Sequence, residues 1–223
     1  MTQQPRRATP DLLQDKPQEN RPPRVKPLRT VKDVEEVSYF SDEDRRVAIS
    51  LLTRSLDVYQ NQPTIGVCCA MHEPQSTAAK FAYGEALERL CNNKGLERHT
   101  TQGSLHWILM LIAFRAVNDE NLVGALSQGN LRSGAIPGFK PHHVAMIDFP
   151  DSEVWNPEQR LMIRYANALN NDAVTDELWA EVVRTWGVQK AIRYIYIMGH
   201  YRTTALRNRT LRVPHPMYRE AIT

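Results

Sequence analysis

Apolar positions along this chain recur every three or four residues, and no segment alternates apolar with polar residues, so the pattern predicts helices and no sheet. Ser41 reads as an N-cap followed by Asp42, Glu43 and Asp44, where a helix start favours negative charge. Ile49, Leu52, Leu56 and Tyr59 then repeat at helical spacing. A short apolar segment, Ile65 to Met71, predicts a second helix after Pro63. A third starts near Ser76, with Ala79, Tyr83, Ala86/Leu87 and Leu90 on one face and Gly95 as its stop. The fourth, Ser104 to Val117, is apolar almost all round and should be central. A short helix is expected from Asp119 to Ser127.

Glycine and proline then punctuate residues 129–156, which predicts a long connection, functional or wrapped around the core. Helix returns at Asn156-Pro157-Glu158-Gln159, where a cap, a first-turn proline and a glutamine three residues after the cap coincide. Leu161/Met162, Tyr165 and Leu169 should be its buried face. Thr175 caps the next helix, which carries Leu178, Val182 and Trp186 inward and stops at Gly187. The last helix, about Gln189 to Arg209, presents a stripe of Ile192, Ile195/Tyr196, Gly199 and Thr203 that could admit a close neighbour. The predicted fold class is all-α.

Charge sharpens the organisation. The formal net charge is +3, yet residues 1–30 hold seven Lys/Arg, three acids and six of the fourteen prolines. The remainder, with 21 basic and 22 acidic residues, is close to neutral. A proline-rich, weakly apolar segment cannot offset its ordering entropy by burial. The expected organisation is therefore a disordered basic arm over 1–35, one all-α domain over 36–213 and a tail over 214–223. The arm lacks the interleaved aromatics that stack bases, so a nucleic-acid partner is not expected. No apolar stretch reaches the roughly 18 residues of a membrane span; the longest, Trp107 to Phe114, lies between His106 and Arg115. No secretory signal is read after Arg6 and Arg7, and a cytoplasmic location is expected.

Several motifs then converge. Phe149-Pro150-Asp151-Ser152, the capped run Asn156-Pro157-Glu158-Gln159-Arg160 and Arg164-Tyr165-Ala166 form an acidic turn followed by a capped helix. With the segment Asp176 to Trp186, the run Ile197-Met198-Gly199-His200-Tyr201 and the buried Leu109 to Ala113, this order resembles the carboxymuconolactone decarboxylase-like family, which includes alkyl hydroperoxidase D-like proteins, over residues 104–213. The resemblance implies a helical domain that forms homo-oligomers and acts on a small organic substrate, carboxylated or polyketide-like. It implies proton transfer coupled to decarboxylation, isomerisation, dehydration or cyclisation, with no cofactor. The departures are specific: Asp119 and Glu120 stand near the family's glutamate, but its histidine position is apolar here, and the Cys-x-x-Cys of the peroxidase branch is missing.

The candidate catalytic residues are Tyr201, at the family's tyrosine position, with His200, His143 and Glu120. Arg115, Arg202 and His106 are candidates for holding the substrate, beside Leu122 and Leu126 in the expected pocket. Arg115 could instead pair with Asp119 one turn on. His142-His143 falls where a pocket lid would lie, but adjacent residues seldom ligate one ion, so no metal is expected. Two other readings stand beside the enzyme: a non-catalytic oligomeric scaffold or ligand-binding protein, and a thiol redox protein using Cys68, four residues before His72.

Overall fold

The computed structural model describes residues 22–58, 65–91, 101–116 and 141–213. Among these residues every regular element is helical. In chain order they are α1 (Val31–Glu35), α2 (Asp42–Val58), α3 (Ile65–Ala70), α4 (Pro74–Cys91) and α5 (Thr101–Ala116). After them come α6 (Pro141–Ala145), a 3-10 turn (Met146–Asp148), α7 (Pro157–Asn170), α8 (Asp176–Trp186) and α9 (Val188–Thr210). None is long and apolar enough to cross a membrane.

The helix starts follow local chemistry. Ser41 and Asp44 make reciprocal bonds at the head of α2, the Asp44 amide donating to Ser41 Oγ at 3.1 Å. Asn156 and Gln159 close a capping box on α7 at 2.9 and 3.0 Å. Thr175 Oγ1 accepts from the Leu178 amide, and Gly187 at φ 77 ends α8 where a side chain would be strained. Each cap contributes about 1 kcal/mol. Truncating one fully buried leucine costs ~2–5 kcal/mol. Burial therefore decides where α5 sits: Leu105, Ile108, Leu109, Leu111 and Ala113 are all fully enclosed.

α5 runs between α7 and α9, and together with α8 these helices form the larger core. A smaller core joins Leu28, α1, α2 and α3 with Ala78 and Phe81 of α4. The two meet along α4 and α9, where Leu87 of α4 enters the larger core.

Two expectations change. The body starts earlier than residue 36, because the chain from Pro22 is laid on it as a strap. Arg24 N–H donates to Leu211 O at 3.0 Å, Leu28 N–H donates to Cys68 O at 3.2 Å, and Leu28 is 1% exposed. Thr30 and Asp33 then cap α1, and the Arg45 guanidinium donates to Glu35 O at 2.7 Å. Leu28, Val34 and a few backbone bonds hold this stretch, which average composition does not reveal. The long connection also contains helix: α6 and the 3-10 turn occupy residues 141–148. The expected helix over Asp119 to Ser127 and the stop at Gly95 lie outside the described residues.

Candidate functional site

Helix α9 buries Ala191, Tyr194, Ile197, Met198, Ala205 and Asn208. At 3.6 residues per turn, that stripe also carries the half-buried Tyr201 and Thr204 onto the packed side and turns Arg202 to solvent. Where α9 meets α5, the Tyr201 hydroxyl hydrogen-bonds His106 Nε2. The two rings are edge-on, with centroids 5.2 Å apart. Phe114 meets the same tyrosine edge-on at 5.7 Å.

His200 lies one residue earlier and therefore faces α4. Its ring stands 5.7 Å from that of Tyr83 and directly over Gly84, where a Cβ would lie 2.8 Å from His200 Cε1. Its Nδ1 is buried and has no hydrogen-bond partner among the described residues. Burial, with the positive charges of Lys80, His106 and Arg207 nearby, pushes the imidazole down to about 4. The near-neutral titration expected of His200 is thus displaced, and the ring is neutral at pH 7.

The sequence reading overlooked Lys80. Its ammonium donates to Thr204 Oγ1 at 2.6 Å, and the Thr204 hydroxyl donates in turn to His200 O at 3.0 Å. Burial and the nearby Arg207 lower this amine to about 8. The Arg207 guanidinium donates to Asn208 Oδ1 at 2.9 Å, and Asn208 is buried against Gly66. One signal was present: Lys80 is the single charged residue between Pro74 and Gly84. It went unnoticed because most of the expected inward face of this helix points elsewhere, although Leu87 of that face is buried. Ala79, Tyr83 and Ala86 are exposed, whereas Thr77 is buried and Ala78 and Phe81 pack inward.

Lys80, His106, His200 and Tyr201 thus gather where α4, α5 and α9 converge, and the other candidates lie elsewhere. His143 is buried on α6, and its described ring contacts are His142 at 4.3 Å and Trp155 at 5.1 Å. It sits at a core edge instead of on a lid. Arg115 is held by Asp148 at 2.6 Å, an exposed pair of the kind that contributes about 0–1 kcal/mol. The expected partner Asp119 and the candidates Glu120, Leu122 and Leu126 lie outside the described residues. Arg202 is exposed. Cys68 and Cys69 are fully buried and unbridged, and burial and the neighbouring Cys68 push the Cys69 thiol up to about 11. His72 is engaged by Tyr39 and by Lys26 O.

The arrangement offers a phenol–imidazole pair that can pass a proton, beside a neutral imidazole and a half-buried amine. Compared with protein-family models, with curated proteins and with solved structures, the chain matches none.

Proposed function

We propose that this chain is a homo-oligomeric enzyme that moves a proton on a small carboxylated substrate. The proton transfer is coupled to decarboxylation, isomerisation, dehydration or cyclisation, as its resemblance to carboxymuconolactone decarboxylase-like proteins implies. The observation that carries this reading is the Tyr201–His106 hydrogen bond, in a half-buried position beside the cationic groups of α4 and α9. In this reading Tyr201 exchanges a proton with the substrate and His106 holds the phenol and balances its charge. His200, neutral at pH 7, supplies a hydrogen bond instead of an acid. The local positive charge favours a substrate carboxylate.

The test is turnover of a panel of small oxo and unsaturated carboxylic acids by wild type, Tyr201→Phe and His106→Gln. Loss of general acid–base catalysis lowers the rate ~10²–10⁴-fold with the helical circular dichroism unchanged. Full activity in Tyr201→Phe ends this assignment.

A specific feature favours the second reading, a non-catalytic scaffold or ligand-binding protein: His106, Phe114 and His200 all pack edge-on to Tyr201. In that case Tyr201→Phe alters stability alone, and no acid in the panel is consumed by wild type. The burial of Cys68 and Cys69 weighs against thiol redox chemistry, which needs an accessible thiolate.

A further inference from the structure

We propose that Lys80 is a nucleophilic amine that condenses with the carbonyl carbon of a small oxo acid to form an imine on the protein. The inference deepens the proposed reading and rests on it only for the steps after the imine, since imine formation does not involve Tyr201.

Three features of the geometry carry it. Lys80 stands on the half-buried side of α4, unlike Lys26 and Lys32, whose ammonium groups are mostly in water. Those two lysines lie against carboxylates, whereas no carboxylate pairs with Lys80 among the described residues. Its described partner is the Thr204 hydroxyl, which fixes Nζ at 2.6 Å without neutralising it. The charged group nearest to it in effect is Arg207 of α9, and His200 of the same helix is neutral at pH 7.

A cation that is partly desolvated and set beside another cation releases its proton readily. With the amine at about 8, roughly a tenth of Lys80 is neutral at pH 7, against well under a thousandth of an ordinary lysine. Only that neutral form has the lone pair that attacks a carbonyl.

The chemistry balances with the chain, the substrate and one proton from water. The Nζ lone pair forms a bond to the carbonyl carbon, and the carbonyl oxygen leaves as water with the two amine protons. The imine nitrogen then takes a proton from water, and in a 3-oxo acid the resulting iminium accepts the electron pair of the breaking C–C bond as carbon dioxide departs, leaving an enamine. Protonation of the enamine carbon, the step assigned above to Tyr201, and hydrolysis release the ketone and restore Lys80.

The experiment treats the full chain with acetoacetate and sodium cyanoborohydride at pH 7, then locates the reduced adduct by peptide mass spectrometry. Lys80 should be labelled at least about tenfold faster than the exposed Lys26 and Lys32. Lys80→Met should lose that adduct and keep its helical circular dichroism. On wild type alone, the rate of Lys80 labelling should rise with a midpoint near pH 8. Labelling of Lys80 no faster than the exposed lysines, or a midpoint near 10.5, overturns the proposal. Trapping that persists in Tyr201→Phe while turnover falls supports both readings. Turnover that depends on Tyr201 without any Lys80 adduct removes the imine and leaves proton transfer standing.

Discussion

Gly84 shows how closely single residues are fitted around the site. A methyl group there would lie 2.8 Å from His200 Cε1, and that ring is also bounded by Tyr83. Alanine in mid-helix would gain up to ~1 kcal/mol in backbone propensity. Forcing an extra methyl against a packed ring costs about 1–3 kcal/mol. Packing should win, so Gly84→Ala is expected to lower unfolding stability by about 1 kcal/mol, read by urea denaturation. A gain in stability would mean that the imidazole swings away at no cost, and the described fit would be wrong. A glycine inside a helix is visible in the sequence, but its reason lies on another helix more than a hundred residues away. The same separation hid the Lys80–Thr204 contact, which joins positions 124 residues apart.

At the scale of the element, α9 carries two apolar stripes, and the choice between them was not legible. The expected inward set, Ile192, Ile195/Tyr196, Gly199 and Thr203, is exposed, and a Cβ on Gly199 would meet nothing within 4 Å. The buried set is Ala191, Tyr194, Ile197/Met198 and Ala205, because that side of α9 packs on α5, α7 and α8. Both sets satisfy helical periodicity; only the partner helix distinguishes them. The exposed stripe, with Val188, Ile192 and Ile195 41–51% exposed and Leu206 at 58%, is the feature that supports the proposed homo-oligomer. Wild type is expected to sediment as a dimer or larger at micromolar concentration. The double variant Ile192→Glu, Leu206→Glu should sediment as a folded monomer, since both side chains are already half in water. A monomeric wild type would end that part of the proposal.

For the whole molecule, the half-buried His200 sets an unusual acid sensitivity. His200 is lowered from 6.5 to about 4, so between those values the unfolded chain binds a proton that the folded chain refuses. Its contribution to stability is complete above pH 6.5 and is lost as pH falls toward 4. Asp33 acts lower: partial burial opposes its ionisation, but hydrogen bonds from Lys26, Thr30 and the Arg29 amide hold it at about 2. Its contribution is present above 3.8 and disappears toward 2. Wild type should therefore lose stability to urea between pH 6.5 and 5, before ordinary carboxylates titrate, and His200→Gln should flatten that slope. A wild-type profile already flat over that interval would contradict the half-buried imidazole with its unpartnered Nδ1. The amino-acid sequence by itself determined the helical class, the caps of α2, α7 and α8 and the central place of α5. These depend on neighbours three or four residues apart, and such interactions are written locally. Tertiary structure alone decided which faces of α4 and α9 turn inward, that residues 22–35 lie on the body, and that Lys80, His106, His200 and Tyr201 share one junction. Those outcomes depend on the complementary surfaces of helices far apart in the chain, and local periodicity carries no information about them.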